Sequence, residues 1–122
     1  MKNVLLIALG LLFATEMAAS PEFQQRKHNL GLLKKPWQVE VVYEFRNTGD
    51  KLLVVQNVTT DCGCTVAEYT RKPVKPGRKG RIRIRFDGKG IPPGYFHRTI
   101  TVATSDWKIP VVRLYLEGTR SE

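Results

Sequence analysis

The chain is poor in the residues that usually carry chemistry. Its 122 residues hold two cysteines, two histidines and three serines, Ser20, Ser105 and Ser121. Nucleophilic acyl transfer needs a serine or cysteine beside a histidine and an orienting acid. None of the serines is so placed: Ser20 stands at the edge of an apolar leader, Ser105 in a turn and Ser121 in the tail. A tetrahedral zinc site needs four ligands, and beyond Cys62 and Cys64 only His28 and His97 remain, both distant in sequence. His97 reads as a surface strand residue, Asp61 as a turn former and Glu68 as an exposed strand residue. No glycine-rich phosphate loop opens a helix, because past residue 20 no apolar stripe has the helical period. Internal repeats, low-complexity tracts and dividing linkers are missing as well. The reading is a single non-enzymatic domain with no cofactor and no metal site.

Long apolar runs are also scarce. The longest, Val4 to Ala14, has eleven residues, well short of the roughly 20 that span a bilayer. It follows a basic start at Lys2, turns polar at Thr15 and Glu16, and reaches the small residues Ala18, Ala19 and Ser20. That layout predicts a secretory signal peptide. Pro21 hinders cutting after Ser20, so residues 1–19 are the expected leader, followed by a lead-in segment at 20–36, a domain at 37–119 and a tail at 120–122. After leader removal no integral membrane segment is expected. The protein is expected to be periplasmic or secreted, where disulfides can form.

Acidic residues are outnumbered. Lys and Arg total 20 against 11 Asp and Glu, a net charge of +9. Between Arg71 and Arg98 ten Lys or Arg face one acid, Asp87.

What the chain does have is strand periodicity. In WQVEVVYEF, residues 37–45, apolar Trp37, Val39, Val41, Tyr43 and Phe45 alternate with a mostly polar set. RIRIRF at 81–86 alternates as regularly. NTGD at 47–50 supplies turn formers, Leu52 to Val58 reads as a strand in the sandwich interior, and Tyr95 to Thr104 and Val111 to Glu117 add two more strands. Many short strands with frequent turn signals predict an all-β, antiparallel sandwich of about seven strands. Its expected core is Trp37, Val39, Val41, Phe45, Leu53, Val55, Ile82, Ile84, Phe86, Phe96, Ile100, Val102, Leu114 and Leu116.

The order of NTGD, CGCT, the PG of KPVKPGRKG, RIRIRFDGKG and the closing VVRLYLEGT resembles the bacterial family called domain of unknown function 1573, from about His28 to Thr119. The resemblance implies an immunoglobulin-like sandwich, similar to the major-sperm-protein-like modules. This chain departs from the pattern in the strongly basic KPGRKG loop and RIRIR strand.

Two features remain as candidate sites. In an extended segment Cys62 and Cys64 point to one side with Cα atoms about 6.5–7 Å apart, at the outer limit for a disulfide. Gly63 permits a bend that could close a small strained ring. The pair is thus a disulfide or redox candidate; buried free thiols, a soft-metal grip and intermolecular pairing are the other readings. On the next strand Arg81, Arg83 and Arg85 share one face, with Arg78 and Lys79 just before them, a candidate polyanion surface. Solvated charges that discourage strand aggregation are the plainer reading. Aromatics are not interleaved with the arginines, so nucleic acid is not an expected partner. The sequence therefore reads as an exported, monomeric binding or structural module of the cell envelope, its partner a protein or an anionic envelope component. The alternatives are a thiol redox or copper-handling protein using Cys62-Gly63-Cys64, and polyanion binding by the arginine face.

Overall fold

A computed structural model describes residues 19–61 and 64–122; the expected leader helix lies outside them. Among the described residues eight strands form: β1 (Pro21–Phe23), β2 (Lys27–Leu33), β3 (Gln38–Asn47), β4 (Val55–Thr60), β5 (Cys64–Tyr69), β6 (Lys79–Asp87), β7 (Gly94–Thr104) and β8 (Val111–Arg120). They build two four-stranded sheets, ordered β1-β3-β6-β5 and β2-β8-β7-β4. The two most regular alternations in the sequence are direct neighbours: β3 and β6 pair antiparallel from Gln38↔Asp87 to Arg46↔Lys79. Both strands bury every second side chain, because the pleat turns alternate residues to opposite faces.

The core lies between the sheets. Tyr43, Ile82, Ile84, Phe86, Leu114 and Leu116 are fully buried there. Phe86 and Phe96 stack across the gap with ring centroids 4.5 Å apart. Such a pair adds about 1 kcal/mol beyond its area burial. The Tyr43 hydroxyl donates to the Tyr115 carbonyl at 2.6 Å, a polar tie from one sheet to the other.

Three expectations need correction. Trp37 is only half-buried: its φ of +59° turns it out of the strand alternation. Its ring instead lies 3.5 Å from the Arg120 guanidinium, which also donates from Nε to the Gly88 carbonyl at 2.8 Å. The 52–58 segment buries Leu53, Val55 and Val58 in the core as expected, but it is not a central strand. Its strand begins at Val55 and forms a sheet edge, with Leu53 bridged to Val74 across the sandwich end. The stretch 20–36, expected as a lead-in, supplies β1 and β2. β2 went unread because its segment, KHNLGLL, has no regular alternation; it runs parallel to β8 with a register shift between Asn29 and Leu32.

All four edge strands are blunted. β1 has three residues, and β2, β4 and β5 each carry a bulge or register shift. Irregular or very short edges offer a poor template for a further strand.

Candidate functional site

The basic strand can now be placed. Arg81, Arg83 and Arg85 project from the outer face of the β1-β3-β6-β5 sheet, as the alternation predicts. Acids on both neighbouring strands meet them. Glu68 of β5 accepts from Arg81 Nη2 at 3.3 Å and from Arg83 Nη2 at 3.0 Å. Glu40 of β3 lies 3.4 Å from Arg83 Nε and 3.6 Å from Arg85 Nη2, and Lys79 pairs with Glu44 at 3.4 Å. The register dictates these meetings, since Glu40 stands opposite Arg85 and Glu68 opposite Arg83. Arg83 is the centre of the ladder. Its Nε is buried without a hydrogen bond despite the nearby carboxylate. Arg78 lies outside this face, at the close of a turn in which its N–H donates to Lys75 O at 3.0 Å around Gly77, φ +79°. Glycine suits that position because a side chain resists positive φ.

The cysteine segment is the crossover from β4 in one sheet to β5 in the other. Asp61 ends the first ladder twice: its N–H donates to Thr99 O at 3.3 Å, and its Oδ2 accepts from Thr99 N–H at 2.8 Å. Cys64 N–H then donates back to Asp61 O at 3.3 Å, and Thr60 Oγ1 to Cys64 O at 3.0 Å. Cys64 is half-buried. Burial pushes it up to about 11, against the opposing pull of Arg98 and with a further push from Asp61. Cys62 and Gly63 lie outside the described residues, so the expected pairing of the two sulfurs does too.

The remaining reactive groups hold structure. Ser105 Oγ accepts from Val54 N–H at 2.9 Å. His28 stacks edge-on against Tyr43, with Nε2 3.1 Å from Val42 O. His97 lies over Tyr115 on the outer face of the other sheet. Among the described residues no three His, Cys, Asp or Glu side chains gather as a metal site.

NTGD turns out to be more than a turn. Asn47 is fully buried at the sandwich end where loops 48–54, 70–78 and 105–110 meet. Its Nδ2 donates to Lys51 O at 2.7 Å and Val74 O at 2.9 Å, and its Oδ1 accepts from Ser20 and Gly49 N–H. One side chain thus stitches two loops and the start of the described chain. The sequence reading passed over what these loops display: Trp107 and Ile109 are exposed at the tip of the β7–β8 connection. The available signal was an aromatic and a branched aliphatic in a six-residue turn, where polar residues are usual.

Two stacked four-stranded sheets define an immunoglobulin-like β-sandwich. The sequence pattern of the family described as "Protein of unknown function (DUF1573)" matches residues 21–119, and the chain belongs to that family. Similar solved structures include a protein of unknown function from Porphyromonas gingivalis W83, with TM-score 0.72 and 23% identity over 87% of this chain and 48% of that one. The ASH/PapD-like domain 7 of human CEP192 matches with TM-score 0.66 and 12% identity over 86% and 87%. The Pseudomonas aeruginosa CupB2 chaperone matches with TM-score 0.59 and 15% identity over 82% and 55%. The chain spans about half the length of the Porphyromonas protein. At these identities the likeness is one of fold. No curated protein matches the chain.

Proposed function

We propose that the protein is an exported, non-enzymatic binding module of the cell envelope that works through its surface. The observation that carries this reading is that, among the described residues, the potentially reactive side chains are committed to the fold. Ser105 caps Val54, Asp61 closes the β4–β7 ladder, and His28 packs on Tyr43. In the reduced chain burial pushes Cys64 up to about 11, which disfavours the thiolate that would act as nucleophile or metal ligand. Likeness of fold to several chaperones, among them CupB2, supports a binding role. The arginine ladder fits stiffening of the sheet better than polyanion capture, because its charges already have carboxylate partners.

The test is co-sedimentation of the leaderless chain with an isolated envelope fraction, beside a Cys62→Ser/Cys64→Ser variant. Equal retention of both supports a binding module. Loss of retention in the variant, or stoichiometric copper on the native chain alone, would transfer the function to the sulfur pair.

A further inference from the structure

Resting on that binding-module reading, we propose that the end of the sandwich formed by loops 48–54, 70–78 and 105–110 docks on an anionic phospholipid surface. Trp107, Ile109 and Leu52 enter the headgroup layer, and the surrounding Lys and Arg hold lipid phosphates.

The topology puts these loops together. Leu53 and Val74 exchange N–H···O bonds at 2.9 and 2.7 Å, and Ser105 N–H donates to Val54 O at 2.9 Å. Scattered exposed apolar residues are ordinary on a protein surface. Here they cluster: of the seven large exposed hydrophobics among the described residues, Leu52, Trp107, Ile109 and Val111 stand at this end. Trp107 is 71% exposed, Ile109 57% and Leu52 54%.

Charge accompanies them. The same loops carry six cations, Lys51, Arg71, Lys72, Lys75, Arg78 and Lys108, against Asp50 and Asp106. Asp106 is buried and spends its Oδ1 on Lys108 N–H at 3.1 Å. The Lys108 ammonium lies 5.4 Å from the Trp107 ring centre. A tryptophan beside a lysine suits the membrane–water boundary, where an amphipathic ring sits at headgroup depth and cations meet phosphates.

Shape separates a bilayer from a peptide. Peptides are held in concave pockets or along open sheet edges. These side chains crown loop tips, the edges are blunted, and the grooves that Thr48 and Thr70 border at the loop bases take no lining from Leu52, Trp107 or Ile109. Asn47 ties loops 48–54 and 70–78 together, and Pro73, Pro76 and Pro110 restrict the backbone, which lowers the ordering cost of binding.

The test uses residues 19–122, which hold all eight strands and the buried core. Co-sedimentation is measured with vesicles of phosphatidylglycerol and phosphatidylethanolamine, with neutral phosphatidylcholine vesicles, and with a polyglutamate matrix. The native chain binds the anionic vesicles at least about tenfold more tightly than the neutral ones, and less so as salt rises. Trp107→Ser/Ile109→Ser, its fold checked by circular dichroism, loses at least about tenfold. Lys72→Gln/Lys75→Gln/Lys108→Gln removes three of the six cations and weakens the salt dependence. Unchanged binding by the Trp107/Ile109 variant overturns the proposal, as does retention on polyglutamate without vesicle binding, which points to an acidic polypeptide. A chain that sediments with delipidated envelope but not with vesicles leaves the binding-module reading standing and removes only the lipid; failure in both removes both.

Discussion

Asn47 is the residue on which most of the loop end depends. Asn47→Ala removes the partner of the Lys51 carbonyl and of the Ser20 and Gly49 N–H groups, while the Val74 carbonyl keeps the Leu53 N–H. A buried group left unpaired costs about 1–3 kcal/mol and these three are only partly buried, so urea unfolding should show a loss of about 1–3 kcal/mol. Asn47→Asp should be no milder, since a carboxylate facing two carbonyls has nothing to donate. Gly80 answers to shape alone: a Cβ there would run into the Phe45 ring. Gly80→Ala should cost about 1–3 kcal/mol by forcing that ring aside. Cys64 offers a pH test. Its pKa, raised by burial to about 11, favours the thiol, so the stabilisation is full below the unfolded value near 9 and is lost as pH rises through 11. In the reduced chain, alkylation at Cys64 should therefore reach half its maximal rate near pH 11, whereas a half-maximum at neutral pH would show an activated thiolate.

At the scale of elements, β6 does two jobs with one alternation. Ile82, Ile84 and Phe86 build the core, and the intervening arginines meet Glu40 and Glu68 from the strands on either side. Pairs this exposed contribute about 0–1 kcal/mol each. Replacing Arg81 and Arg85 by Gln should thus change stability by about 1 kcal/mol or less, while Phe86→Ala should cost about 3–5 kcal/mol; thermal melts separate the two. The arginine face was legible in RIRIRF, but its neutralisation was not. Glu40 lies 45 residues before Arg85 in the chain, and only strand register brings them together. β2 was hidden for a similar reason: its partner β8 fixes it, not its own pattern.

For the whole molecule, the blunted edges favour a monomer, and sedimentation should show one species across a wide concentration range. The outer face of the second sheet has its own pH signature. Hydrogen bonds from Lys27 and Tyr95 hold Glu117 below the ordinary carboxylate value, at 2.9 Å for Lys27 and 2.7 Å for Tyr95. A depressed carboxylate contributes stability above its unfolded pKa and loses it as pH falls through the folded one. Glu117→Gln should accordingly flatten the acid limb of the stability profile without moving the neutral plateau.

Sequence alone determined the all-β class, most of the inward set of β3, β6, β7 and β8, and the family, because strand alternation and turn residues act over a few neighbours. Tertiary structure decided which charges are already partnered, why Asn47 is buried, where Trp37 points and which loops share an end. Those outcomes depend on contacts between segments dozens of residues apart, and the order of strands in a sheet is not written in any one of them.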